Sequence, residues 1–161
     1  MNEQPLVSII MNCYNGEAFL RNAIDSVYAQ TYKNWEIIFW DNASTDTSAD
    51  IAQSYDEKLQ YFKDATNKPM YEARGLAVQE AKGEYLAFLD CDDWWGPFKL
   101  EKQVPLFRNA NIGFVYGSYW LENEVTGTRK IRSHAIRSPG IILDDLLKHY
   151  PIVMVTLMIR R

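Results

Sequence analysis

The fold of this chain is decided by residues 84–97, which read EYLAFLDCDDWWGP. Five consecutive apolar residues, 85–89, lead directly into three carboxylates, at Asp90, Asp92 and Asp93. An uninterrupted apolar run of this length is typical of a strand that is buried on both faces of a parallel sheet. We therefore predict a central strand at 85–89 that delivers the three aspartates to the carboxyl edge of a sheet.

The spacing of Asp90 and Asp92 suits a divalent cation. Carboxylates this close repel one another unless they are protonated or share a cation. Mg²⁺ commonly takes one or two protein carboxylates together with phosphate oxygens of a substrate. The alternative is a solvated acidic turn that precedes the next helix, and the two aspartates alone do not exclude it.

The rest of the chain alternates strands with helices. Apolar runs predict strands at 6–11, 35–40, 59–63 (at or near an edge), 85–89, 112–121 and 152–159. Helical spacing predicts helices at 17–29, from an N-cap at Ser44 or Thr45 to 55, at 70–82, at 97–107 and at 142–149, with a turn at 122–128 and a polar loop at 133–140. This alternation indicates an α/β fold with a mostly parallel central sheet flanked by helices.

Polar residues that no helix cap requires follow three of these strands. They are residues 12–17 after the first strand, Asp41 and Asn42 after the second, and the aspartates after 85–89. The carboxyl ends of parallel strands share one edge, and ligands bind there where the strand order reverses. Arg74 lies in the first turn or two of the helix at 70–82, where the helix dipole disfavours a cation, so we expect it to hold an anionic group. The convergence predicts a nucleotide site with a metal bridging the phosphates.

Two other classes of nucleotide-binding protein do not fit the first strand–helix turn. A dinucleotide-binding dehydrogenase needs several glycines there so that the backbone can approach the pyrophosphate. Here that turn holds only Gly16, together with the carboxylate of Glu17. A P-loop is also absent from the sequence, because no Gly-Lys-Ser or Gly-Lys-Thr occurs.

Composition and charge narrow the class of protein further. A chain of 161 residues with 47% hydrophobic residues is predicted to form one domain, 1–161. The net charge of −4, without a basic stripe, disfavours nucleic acid as a partner. No apolar run approaches the roughly 18 residues of a membrane-spanning helix, so no transmembrane segment is predicted.

The two cysteines, Cys13 and Cys91, lack the spacing of metal ligands. Each follows an apolar run, so we expect both near the same edge of the sheet. We interpret them as reduced thiols that fill space, which fits a reducing compartment. A cytoplasmic location is therefore expected, with the membrane periphery as the alternative.

The chain resembles family 2 glycosyltransferases of the GT-A type, which have a Rossmann-like fold. The resemblance lies in VSIIMNCYNGE (7–17), AQTY (29–32), WEII (35–38), DNASTD (41–46), AR (73–74), KGEY (82–85) and LDCDD (89–93). It covers at least residues 6–106, and 153–161 look like a later strand of the same domain. Each motif is weak alone, but the combination is specific.

The resemblance implies an enzyme, a hexosyl- or related transferase, that binds a nucleotide-diphosphate sugar with Mn²⁺ or Mg²⁺. A UDP-sugar would be the most common donor, and a saccharide or lipid-linked molecule the acceptor. The implied nucleotide-sugar-binding residues are Asn12, Tyr14, Glu17, Asp41, Asn42, Arg74, Asp90 and Cys91. The implied metal ligands are Asp90 and Asp92.

The family is usually inverting and uses a carboxylate base in a later motif, which we expect beyond residue 161. Asp144 and Asp145 are weak substitutes for it. We accordingly expect an incomplete domain, with a nucleotide-binding half at about 5–107 and the start of an acceptor half at about 108–161, inactive by itself. Asn12 stands where the family often has proline or threonine, and Asn42 stands where it often has a second aspartate. The alternatives are a non-catalytic nucleotide-sugar-binding or partner-recruiting module and a nucleotidyltransferase.

Overall fold

The computed structural model describes residues 4–123, 125–132 and 152–161. The predicted loop at 133–140 and helix at 142–149, with Asp144 and Asp145, lie outside the described residues. The described strands are β1 (Val7–Cys13), β2 (Trp35–Asp41), β3 (Leu59–Lys63), β4 (Tyr85–Phe88), β5 (Phe114–Val115), β6 (Tyr119–Asn123), β7 (Thr128–Arg132) and β8 (Met158–Arg160). The described helices are α1 (Leu20–Tyr28), α2 (Ser48–Gln53), α3 (Met70–Glu80) and α4 (Lys99–Gln103), with 3₁₀ turns at Val104–Arg108 and Met154–Thr156.

The central sheet has the strand order β3-β2-β1-β4-β8-β5. Its first four strands are parallel, and β8 runs antiparallel between β4 and β5. The predicted mostly parallel α/β sheet is therefore confirmed, as is the edge position of β3. β2 and β3 lie on one side of β1, and β4 lies on its other side, so the strand order reverses at β1. This reversal places the expected ligand crevice at the carboxyl ends of β1 and β4.

Both faces of the sheet are covered by packed apolar side chains. Successive residues of β1 point to opposite faces and therefore pack into two different cores. Ile9 and Met11 pack into the larger core, which contains the apolar face of α1. Ile10 packs into a second core with Ala77 of α3. The small side chains on α3 let this helix approach the sheet closely.

Gly83 allows β4 to start directly beside β1. A methyl group on Gly83 would lie 2.7 Å from the Leu6 carbonyl oxygen and 2.7 Å from the Ser8 nitrogen. Both are backbone atoms that cannot move aside cheaply. The absence of a side chain at this position is therefore a requirement of the β1–β4 contact.

The prediction of one strand at 112–121 is wrong. β5 lies in the central sheet, whereas β6 pairs with β7 in a separate two-stranded sheet. Trp120 and Leu121 of β6 are exposed, so their apolar character reflects no burial in the core. The predicted turn between these strands is confirmed, and Gly127 adopts a positive φ of 64° there.

Two other element boundaries differ from the predictions for identifiable reasons. The helix predicted at 97–107 is regular only at Lys99–Gln103 and continues as a 3₁₀ turn, in which Pro105 lacks the N–H that an α-helix needs. The strand predicted at 152–159 starts only at Met158. Its first half is a 3₁₀ turn, whose Val155 carbonyl accepts a hydrogen bond of 2.9 Å from the Trp95 indole.

Within the described ranges, none of the helices has both the length and the apolar character needed to cross a membrane.

Candidate functional site

The turn that follows β4 is the centre of the candidate site. It comprises residues 90–93, and we call it the acidic turn. The Leu89 N–H donates to the Ile10 carbonyl at 3.1 Å, and the Asp93 N–H donates to the Asp90 carbonyl at 3.1 Å, which closes the turn. Arg74 reaches the turn from α3, and its Nη2 lies 2.6 Å from Asp90 Oδ1. The structure therefore brings Arg74 and Asp90 together at the carboxyl end of β4.

Two polar residues hold the segment that follows this turn. They are Ser26, in α1, and Gln30, two residues after α1 ends. Ser26 Oγ accepts a 3.1 Å hydrogen bond from the Trp95 N–H. Gln30 is fully buried, donates to the Gly96 carbonyl at 2.8 Å and accepts from the Leu100 N–H at 3.1 Å. Sequence reasoning assigned no role to Ser26 or Gln30, because a glutamine just after an amphipathic helix carries no periodic signal. Their hydrogen bonds fix where the acidic turn ends and α4 begins.

Negative charge is crowded at the turn. Burial, and after it the charges of Asp92 and Asp90, raise the pKa of Asp93 to about 6. A cation beside Asp92 would relieve this repulsion. Among the described residues no cluster of three or more His, Cys, Asp or Glu side chains could hold a metal ion. Two carboxylates fit a Mg²⁺ or Mn²⁺ ion that completes its coordination with substrate oxygens and water.

Asn12, near the end of β1, carries a buried amide without a partner. The residue is 7% exposed, and among the described residues neither its Nδ2 nor its Oδ1 has a hydrogen-bond partner. It lies opposite Trp40 of β2, and on its other side β4 ends at Phe88, two residues before Asp90. An unsatisfied buried amide costs about 1–3 kcal/mol, so this position is suited to a ligand.

Asp41 and Asn42, after β2, use their side chains within the protein. Asp41 is fully buried, and its carboxylate accepts hydrogen bonds from the Ser44 N–H and the Tyr61 hydroxyl, both at 2.6 Å. The Asn42 amide donates to the Lys68 carbonyl at 2.8 Å and accepts from the Lys68 N–H at 2.9 Å. These two residues hold the loops after β2 and β3 in place.

The predicted N-cap at Ser44 or Thr45 is wrong, because Thr47 directly precedes α2. The Ser44 hydroxyl instead accepts a 3.0 Å hydrogen bond from the Asn15 N–H, and the Thr45 N–H donates to the Asn15 amide oxygen at 2.9 Å. Asn15 has a positive φ of 52°, a conformation that asparagine tolerates. The polar run after β2 therefore fastens the loop that follows β1.

Glu17 belongs to the same set of loop contacts. Its carboxylate accepts hydrogen bonds from the Thr47 N–H at 3.0 Å and the Thr47 hydroxyl at 2.7 Å. Its own N–H donates to Asp46 at 3.0 Å. Tyr14, in the same loop, is 53% exposed. In this structure Glu17 supports the loop, and Tyr14 presents its ring at the surface.

Cys13 and Cys91 lie close together under Gly16, which confirms the expectation that both cysteines are near one edge. A methyl group on Gly16 would be 2.8 Å from Cys13 Sγ and 2.9 Å from Cys91 Sγ. Interaction with the Cys91 thiol lowers the pKa of Cys13, against the opposing effect of burial. Gly16 also donates its N–H to Ser48 Oγ at 2.9 Å, so its backbone position is fixed.

Lys99, at the start of α4, is half-buried, and its ammonium group packs against an aromatic ring. Its Nζ lies 4.3 Å from the centroid of the Trp95 ring and 2.6 Å from Gln103 Oε1. Burial lowers the pKa of Lys99 to about 7. No salt bridge compensates this amine among the described residues.

Replacing Lys99 with methionine is expected to stabilise the protein, and more so at about pH 6 than at about pH 9. Between about pH 7 and the usual lysine pKa of about 10.4, the Lys99 side chain is protonated in the unfolded chain and neutral in the folded protein. The wild-type protein therefore loses stability as the pH falls through this window. Urea unfolding at both pH values measures the difference. Lys102→Met, at an exposed position of the same helix, should show no such pH-dependent gain, and an equal gain in both variants would contradict the prediction.

The sequence profile of glycosyl transferase family 2 matches residues 8–160. The chain belongs to this family. It is 35% identical over 157 residues to the UDP-Glc:alpha-D-GlcNAc-diphosphoundecaprenol beta-1,3-glucosyltransferase WfgD of Escherichia coli, a match that covers 97% of this chain and 60% of the relative. The chain spans between 60% and 64% of the length of the first curated relatives that it matches.

Solved structures share the fold. S. aureus TarS 1-349 in complex with UDP-GlcNAc aligns with a TM-score of 0.63 and 25% identity, over 67% of this chain and 32% of that protein. The mannosyltransferase PcManGT of Pyrobaculum calidifontis, in complex with GDP-Man and Mn²⁺, aligns with a TM-score of 0.67 over 76% of this chain and 37% of its own. At 22% identity, the second likeness concerns the fold alone.

Proposed function

We propose that this chain is the donor-binding part of a glycosyltransferase that binds a nucleotide-diphosphate sugar with a divalent cation. The sugar would pass to an acceptor hydroxyl with inversion. The observation that carries the proposal is the buried Asn12 amide, which has no hydrogen-bond partner among the described residues and lies near the carboxyl end of β1, where the strand order reverses. We assign donor binding to about 5–107 and the start of the acceptor half to about 108–161.

A UDP-sugar is the donor that we favour. The name of the E. coli relative specifies a UDP-glucose donor, and the TarS complex contains UDP-GlcNAc. The same relative's name specifies a diphosphoundecaprenol-linked acceptor, which supports a saccharide or lipid-linked acceptor here. Within the part of the chain that the structure describes, neither polar atom of the Asn12 amide has a partner, which leaves one donor and one acceptor group for a uracil edge or a ribose.

Asp90 and Asp92 would hold the Mn²⁺ or Mg²⁺ ion. When bound, the ion supplies positive charge that stabilises the departing diphosphate. Arg74 keeps the Asp90 carboxylate in place through the 2.6 Å ion pair and adds a further positive charge to this edge. Hydrogen bonds to β1 and to Gln30, just after α1, hold the backbone of this segment in place, so the positions from which Asp90 and Asp92 extend are fixed before the substrate arrives.

Calorimetric titration of the protein with UDP, GDP and dTDP, with and without Mn²⁺, tests this proposal. We expect UDP to bind, and to bind more tightly when Mn²⁺ is present, because two carboxylates and a diphosphate together complete the cation site. Binding of none of the three nucleotides would refute the proposal. Nucleotide binding without sugar transfer by the whole protein would instead favour a non-catalytic nucleotide-sugar-binding module.

A further inference from the structure

The two thiols beneath Gly16 are placed for direct reaction with each other. The hypothetical methyl position on Gly16 lies within 3 Å of both sulfurs, so the sulfurs are on the same side of this glycine and near each other. The same methyl position lies 3.4 Å from Cys91 Cβ, so the side chains of Cys13, at the end of β1, and of Cys91, in the turn after β4, meet beneath this glycine. The two sulfurs are therefore less than about 6 Å apart, and rotation of the two side chains brings them towards the roughly 2 Å of a disulfide bond.

We propose that Cys13 and Cys91 form an oxidisable pair, a modification site at which a hydroperoxide converts the two thiols into an intramolecular disulfide that weakens nucleotide binding. The part of the proposal that concerns nucleotide binding rests on the proposed function. Formation of the disulfide does not. The chain contains only these two cysteines, so any intramolecular disulfide joins them.

The chemistry needs one hydroperoxide for each disulfide. The thiolate of one cysteine attacks a peroxide oxygen, the O–O bond breaks, and a sulfenic acid forms with release of water or an alcohol. The second thiolate then attacks the sulfenic sulfur, the S–S bond forms, and the hydroxyl leaves as water with the remaining thiol proton. Cys91 is partly exposed, so a small peroxide can reach the pair from its side.

The disulfide would act on the site through the position of Cys91. This residue lies between Asp90 and Asp92, so a covalent bond to β1 would pull on the turn that presents both carboxylates. Sulfurs must approach to about 2 Å in a disulfide, whereas Gly16 now packs against both of them. Because small displacements of a pre-positioned group cost a site heavily, we expect roughly tenfold weaker Mn²⁺-dependent UDP binding after oxidation.

The test is stoichiometric oxidation of the reduced protein with hydrogen peroxide, followed by mass spectrometry of the unfolded chain after alkylation. The expected product has lost two hydrogens, takes up no alkylating reagent and yields a linked peptide containing Cys13 and Cys91. Dithiothreitol should restore both thiols and the original UDP affinity measured by calorimetry. Cys13→Ser and Cys91→Ser serve as matched controls that keep one thiol each and can form no intramolecular disulfide.

Three results would overturn the proposal. Both thiols could remain open to alkylation after peroxide treatment, or the chain could gain oxygen at one sulfur without forming the linked peptide. A disulfide that leaves UDP affinity unchanged would refute the effect on the site. If the reduced protein binds no nucleotide, the proposed function fails, and the linked peptide alone still decides whether the thiols form a reactive pair.

Discussion

The Asp92→Ala variant is expected to lose Mn²⁺-dependent nucleotide affinity by roughly 100-fold or more, since even outer-shell changes at metal sites reach this size. Asp92 is exposed on the acidic turn, beside the Asp90 carboxylate that Arg74 holds. Without Asp92, only one of the two assigned carboxylate ligands, Asp90, remains to share a cation with the diphosphate. Calorimetric titration with UDP in the presence and absence of Mn²⁺ measures the loss.

The folding stability of Asp92→Ala should stay within about 0.5 kcal/mol of the wild type, because an exposed side chain outside the core is removed. The substitution also removes one of the charges that raise the pKa of Asp93. Glu57→Ala is the matched control, since it deletes an exposed carboxylate just before the amino end of β3. This position lies at the opposite end of the parallel strands from the acidic turn. An Asp92→Ala protein that binds Mn²⁺ and UDP as the wild type does would contradict the metal assignment.

The parallel half of the sheet could be predicted because local pattern and burial agree there. β1, β2 and β4 are apolar runs that end abruptly on polar residues, and each is buried through nearly its whole length. The carboxyl ends of such strands must share an edge, so the placement of Asn12 and the acidic turn at the carboxyl ends of neighbouring strands followed from topology alone. The antiparallel β8 could not be predicted, because strand direction at the end of a chain depends on tertiary pairing.

The roles of polar residues within the site were harder to predict than their location. The sequence indicated that Asp41 and Asn42 lie at the edge, but their hydrogen bonds to loop backbone depend on where residues 61–68 fold. The same limit applies to Gln30, which bonds Ser26 nearby but also has two partners 66 and 70 residues further along the chain. A side chain's partners become visible only when distant segments are placed together.

The Asn12→Leu variant is expected to be more stable than the wild type by about 1 kcal/mol and to bind UDP roughly 10- to 100-fold more weakly. Leucine has a similar size and removes a buried amide that has no partner among the described residues, so its desolvation cost disappears. If the amide binds the nucleotide, the same substitution removes one or two hydrogen bonds from the complex. Urea unfolding and calorimetric titration measure the two effects.

Asn42→Leu provides the matched control for stability, because Asn42 follows the neighbouring strand and is also 7% exposed. Its amide bonds both backbone groups of Lys68, so its loss should destabilise the protein by about 1–3 kcal/mol. We expect Asn12→Leu to raise the free energy of unfolding and Asn42→Leu to lower it. This difference would distinguish an amide that serves ligand binding from an amide that stabilises the fold. If Asn12→Leu lowers stability as Asn42→Leu does, or leaves UDP affinity unchanged, Asn12 is not a nucleotide ligand. Stability is given up at binding sites in this way because their polar groups are satisfied only when the ligand is bound.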